Sequence, residues 1–159
     1  MQVKVAKLTN KSLSDLACSY TQGRSVSPPL SKIYRSEHSP ARTQIFLIEL
    51  LEIPNATSVH LVRHNLGISH FVKTSGGTVR DTETPVNHMM IANAQALMNM
   101  MHVRLCYRAR EATRLVCEQI VVEVSKVDED LADYLVPTCI YKNECTEPQS
   151  CGRMGNSRK

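Results

Sequence analysis

Tryptophan is absent from the 159 residues, and the other aromatics amount to five tyrosines and two phenylalanines. A groove that stacks nucleic-acid bases on an aromatic platform is therefore not expected. Runs of basic charge are missing as well. The 19 Lys and Arg against 15 Asp and Glu leave a net charge of +4, spread along the chain. That balance suits small anionic ligands such as nucleotides better than a nucleic-acid partner, which calls for a basic stripe. No apolar run approaches the roughly 18 residues that signal a membrane span. No secretory leader is visible either, so a soluble, cytoplasmic protein is expected. In that setting the six cysteines are expected as reduced thiols, not a disulfide framework.

What is present fits one compact domain. A hydrophobic content of 42% over this length supports a genuine core, assigned here to residues 1–137. Residues 138–159 form a polar tail carrying Cys139, Cys145 and Cys151, expected to fray. Their spacing is wider than the C-x₂₋₄-C pairs that zinc sites use, so loop thiols are the plainer reading.

Alternation from Gln2 to Leu8 predicts a short strand. Ser12 to Tyr20 reads as a weak helix closed by Gly23, and Pro29 opens a short helix toward Tyr34. Ile45 to Ile53 (I-F-L-I-E-L-L-E-I) reads as a buried strand. Pro54-Asn55 breaks it, a helix spans Ala56 to His64, and Gly67 to Val72 is extended. Thr74 to Thr84, with Gly76-Gly77, is a loop. Pro85 opens a long helix to about Leu105, a second runs from Ala109 to Lys126, and a third from Asp128 stops before Pro137. The fold class predicted is α+β, with N-terminal strands and a C-terminal helical half.

The stretch Asn93 to Arg104 (N-A-Q-A-L-M-N-M-M-H-V-R) carries the most information. At helical spacing Met90, Ala94, Leu97 and Met101 form an apolar stripe, while His88, Ala92, Gln95, Asn99 and His102 form a second one rich in amides and imidazoles. A free surface helix would show Lys and Glu on its wet side. This one reads as a helix that meets a partner or a planar ligand on more than one side. Asn, Gln and their neighbours offer donors and acceptors suited to the edge of a heterocycle, though interfacial amide pairs explain them too. Arg104 either stabilises charge on a ligand or simply answers the helix dipole. Arg63 and His64 leave the same two readings open at the end of their own helix. His60, His64 and His70 lack the interposed Glu of H-E-x-x-H, so no metal site is expected.

Three segments resemble the flavin-dependent thymidylate synthases: His38-Ser39-Pro40 ahead of a hydrophobic strand, Arg63-His64 closing a helix, and Asn93 through Arg104 read as N-A-x-x-L-M-N-x-x-x-x-R. The likeness extends over roughly residues 35 to 137. It implies a homotetramer that holds FAD between subunits and methylates dUMP to dTMP, with methylene-tetrahydrofolate as carbon donor and NADPH as reductant. Carried over by position, Arg63, His64, Asn93, Gln95 and Asn99 would bind FAD. His60, Ser69, Arg80 and Arg104 would bind dUMP, with Arg104 the activating residue beside the uracil. The sequence departs from the family at Asn65, where an Arg is usual, and at His70 and Phe71, where an Asn-Glu pair stands. A second reading therefore stays open: a catalytically degenerate, oligomeric module that binds a nucleotide or flavin.

Overall fold

A computed structural model describes residues 1–73 and 81–154. Gly76-Gly77 and Arg80 lie outside the described residues. A four-stranded antiparallel sheet runs in the order β1-β2-β4-β3, built from β1 (Gln2–Lys7), β2 (Ile45–Pro54), β3 (Ile68–Val72) and β4 (Pro85–Asn93). Between β1 and β2 come α1 (Lys11–Gln22), α2 (Leu30–Ser36) and a 3₁₀ turn, Ser39–Thr43; α3 (Asn55–Val62) follows β2. The helices α4 (Ala94–Arg104), α5 (Glu111–Ser125), α6 (Glu129–Ala132) and α7 (Thr138–Tyr141) complete the chain. The α+β class is as the sequence predicts. Among the described residues no helix is long and apolar enough to cross a membrane.

One expected element is different. Residues 85–105 are not a single helix: the first nine form strand β4, and the helix begins only at Ala94. Strand alternation decides this, because Val86, His88, Met90 and Ala92 are buried on one face. They pair edge to edge with β2 on one side and β3 on the other. Pairing with a central strand overrides the helix-favouring Met, Asn and Ala of this run. His88 and Met90 therefore share a sheet face rather than separate helical stripes.

That face is continuous. Phe46, Ile48 and Leu50 of β2 lie beside Ala92, Met90 and His88, with Ile68 and His70 on β3 completing the row. The helices α3, α4 and α5 join the same core, through Leu61, Leu97, Met101, Val116 and Ile120. The opposite sheet face is less covered: Leu47, Met89 and Ile91 are half-buried and Phe71 is exposed.

Polar anchors fix the layers. The Asp128 carboxylate accepts from the Lys7 ammonium and the Tyr34 hydroxyl, each at 2.6 Å, and caps α6 by accepting from the Leu131 N–H. Burial and this carboxylate raise the Tyr34 phenol above its ordinary pKa, so it remains a donor. Beyond Pro137, Cys139 is buried, His102 stacks on Tyr141 at 4.5 Å, and the Arg153 guanidinium lies 4.3 Å over the Tyr107 ring. The tail through Met154 is thus held against α4 and the turn after it, where fraying was expected.

Candidate active site

The start of α4 explains much of the site's geometry. Asn93 is its N-cap, its side-chain oxygen accepting from the Ala96 N–H at 2.9 Å. That bond satisfies a donor the helix would otherwise leave open. The Asn93 backbone N–H donates to the Gly67 carbonyl. Gly67 adopts φ +78°, and a Cβ there would lie 2.5 Å from Asn93 Nδ2. Only glycine fits this crossing, which brings the turn after α3 against the start of α4.

Arg104, at the other end of α4, is half-buried rather than solvated. Its Nε donates to His64 Nε2 at 2.8 Å, and one Nη donates to the His60 carbonyl at 3.0 Å. The last carbonyls of α3 carry the negative end of that helix, so the contact is favourable for a cation. The His60 ring meets the Thr113 hydroxyl at 3.1 Å. Burial lowers the pKa of His60 and His64, and the Arg104 charge lowers both further. Both imidazoles therefore favour the neutral form, which lets His64 Nε2 act as an acceptor. Burial also lowers the Arg104 pKa, with Cys117 opposing. The Cys117 thiol is itself pushed up to about 12, by burial first, and stays protonated.

Beside His64 lies a cavity of about 170 Å³ lined by Arg63, Asn65, Leu66, Ala96 and Asn99. Arg63 and Asn99 are exposed there. Thus Arg63, His64 and Asn99 share one small hollow, with Arg104 bonded to its His64 wall. Gln95 is turned otherwise: its amide nitrogen donates to Glu37 at 2.7 Å and to Asn99 at 3.2 Å. Its amide oxygen is buried without a partner among the described residues. Asn93 is spent on its cap. Ser69 is opposite Ile91 and points to the other sheet face, away from His70 and His88.

Ser58, which the sequence did not single out, completes a network with His88 and His70, which it read in other settings. His88, buried between β2 and β3, meets Ser58 Oγ at 3.1 Å through Nδ1 and His70 Nδ1 at 2.9 Å through Nε2. His70 Nε2 meets the His64 carbonyl at 2.9 Å. Burial, and the neighbouring His70, push the His88 pKa down to about 4. A strand-period reading of residues 85–93 would have put His88 on the core face; the helical reading hid it.

This sheet-and-helix arrangement is the fold of the flavin-dependent thymidylate synthases. It superposes on thymidylate synthase X from Helicobacter pylori, crystallised with FAD and dUMP, with a TM-score of 0.72 and 12% identity over 85% of this chain and 99% of that one. The UMP/dUMP methylase PolB from Streptomyces cacaoi, bound with 5-Br dUMP, gives a TM-score of 0.63 at 14% identity, covering 84% and 94% of the two chains. In sequence, 67 residues are 34% identical to a flavin-dependent thymidylate synthase of Clostridium tetani, a match spanning 42% of this chain and 27% of that relative's length. No family model matches the chain. The resemblance read from three short segments thus extends through the fold.

Proposed function

We propose that the chain is a FAD-dependent thymidylate synthase, a methyltransferase that converts dUMP to dTMP. The observation that carries this reading is Arg104, held half-buried by His60 and by His64, the latter a wall of a small hollow. Its likeness to proteins crystallised with FAD and dUMP or with a halogenated dUMP supports the same reading.

The residues suit the chemistry. Two of the five guanidinium N–H donors of Arg104 are spent on His64 and His60, which leaves the others for a ligand. Fixed in advance and partly desolvated, they would stabilise negative charge growing on N3 and O2 of a uracil ring. Arg63 and Asn99 supply further donors for a flavin edge or a phosphate, beside the His64 ring. Bound reduced flavin would supply the hydride, methylene-tetrahydrofolate the carbon, and NADPH the reducing equivalents. The protein's part is to hold the pyrimidine, shield it and polarise it.

At about 170 Å³ the hollow takes the edge of a heterocycle, below the roughly 300 Å³ at which pockets enclosing a whole ligand begin. The remaining walls would come from other copies of the chain, in a cytoplasmic homotetramer. The half-buried Leu47, Met89 and Ile91 and the exposed Phe71 on the open sheet face are suitable for such a contact. Ser69 stands on that face and Arg80 is assigned to the dUMP phosphate by position alone. No metal and no nucleic acid enter this reading.

One observation favours the degenerate module. Where the family carries a carboxylate this chain has Phe71, half exposed, and the Gln95 amide is already engaged with Glu37. Purified protein that is yellow, with flavin absorbance, followed by single-turnover conversion of dUMP with reduced flavin and methylene-tetrahydrofolate, supports the enzyme. Colourless protein that binds dUMP without converting it supports the module.

A further inference from the structure

Ser58, His88 and His70 make a run of hydrogen bonds whose direction is fixed at one end. The His64 carbonyl can only accept, so His70 must donate to it from Nε2–H. With that one ring proton on Nε2, the His70 Nδ1 is an acceptor, and its neighbour His88 then donates from Nε2–H. His88 in turn keeps a bare Nδ1, which the Ser58 hydroxyl fills. Each bond dictates the tautomer behind it. The run therefore has a single polarity, from the hydroxyl of α3 through β4 and β3 to the turn that follows α3.

The same logic applies to His64. Arg104 donates to its Nε2, so the His64 proton sits on Nδ1, opposite to the other two rings. The turn that carries His64 is thus gripped twice, through its carbonyl by His70 and through its ring by Arg104. A carbonyl left without its donor would release the turn and with it the ring against which Arg104 rests. An apolar side chain at position 88 would be cheaper to bury than an imidazole; a hydrogen-bonded imidazole there can direct a neighbour, which an apolar group cannot.

We propose that Ser58, His88 and His70 are positioning residues, a tautomer-locked chain that sets His64, and through it Arg104, for a pyrimidine nucleotide ligand. The inference deepens the function proposed above and rests on it for the identity of the ligand alone.

Full-length protein labelled with [¹⁵N]histidine tests it, by long-range ¹H–¹⁵N correlation at neutral pH. His70 and His88 are expected as Nε2–H tautomers and His64 as Nδ1–H. Ser58→Ala removes the hydroxyl that fills the bare His88 Nδ1. In that variant His88 should keep its Nε2–H tautomer with Nδ1 left buried and without a donor, His64 should lose its uniform Nδ1–H state as the run loosens, and dUMP affinity measured by calorimetry should drop about tenfold. Its thermal melt shows whether the fold survives; His70→Asn, on the half-exposed strand, is the second variant, expected to change the His64 signature in the same way. Wild-type His88 protonated on Nδ1, or a His64 signature unmoved in both variants, overturns the chain. A moved His64 signature with dUMP affinity unchanged overturns its positioning role. The His64 signature needs no ligand, so a wild-type protein that binds no dUMP would sink the proposed function while leaving the chain to be judged on its own.

Discussion

Two cavities show how differently this molecule deploys its polar side chains. The larger, about 530 Å³, lies between α1, the loop after it and α2, and Arg24 and Lys32 on its rim are exposed. The smaller, about 170 Å³, adjoins His64, where a buried network converges from α3, β3, β4, α4 and α5. Long cations on an open rim stay hydrated and mobile, and their charge is screened. A half-buried guanidinium with two fixed partners is already desolvated and aimed. The function proposed above ranks the two by convergence of constrained groups and not by volume.

The strongest attack on that contrast is Arg104→Ala. Turnover of dUMP should be abolished while size-exclusion and light-scattering profiles stay unchanged; retained activity would remove the small cavity from consideration.

A smaller effect comes from pH. Burial, with His70 beside it, takes the His88 pKa from 6.5 down to about 4. Between those values the unfolded chain binds a proton that the folded chain resists. The contribution of neutral His88 is complete above pH 6.5 and declines as pH falls toward 4, by about 1.4 kcal/mol per pH unit at most. Urea titrations at pH 7 and pH 5 should show the loss, and His88→Gln should flatten it.

Gly67→Ala should cost about 2 kcal/mol, because a left-handed residue acquires a side chain pressed onto Asn93 Nδ2. A lowered Tm with weaker flavin binding is the expected result. Smallest of all, Arg24→Ala and Lys32→Ala should change dUMP affinity by no more than about twofold. A large loss there would reverse the ranking of the two cavities.

The elements legible in the sequence were those whose local pattern agreed with their final surroundings. β1 alternates, β2 is a branched apolar run between breakers, and α1 ends at Gly23, which takes the left-handed cap. Residues 85–93 were misread because Pro85 can open a helix and the run is short of branched residues; only its pairing with β2 and β3 makes it a strand. The site divides in the same way. Asn93, Asn99, Arg104, Arg63 and His64 could be nominated by spacing and resemblance. The Ser58–His88–His70 run joins residues up to 30 positions apart, and no local period reports such a contact. Gln95 was assigned to a ligand edge, while the structure turns its amide nitrogen to Glu37.

Helix α4 is enclosed over most of its surface: Ala94 to Met98, Met100 and Met101 are buried, His102 and Arg104 are half-buried, and Asn99 and Val103 are exposed. A segment so confined has little room to drift, since nearly every replacement disturbs packing before it touches recognition. Any retuning of ligand preference would have to come from what surrounds α4, chiefly the end of α3 and the loop that bears Glu37. Engineered libraries aimed at new substrates would do better to randomise those borders and leave the helix itself intact.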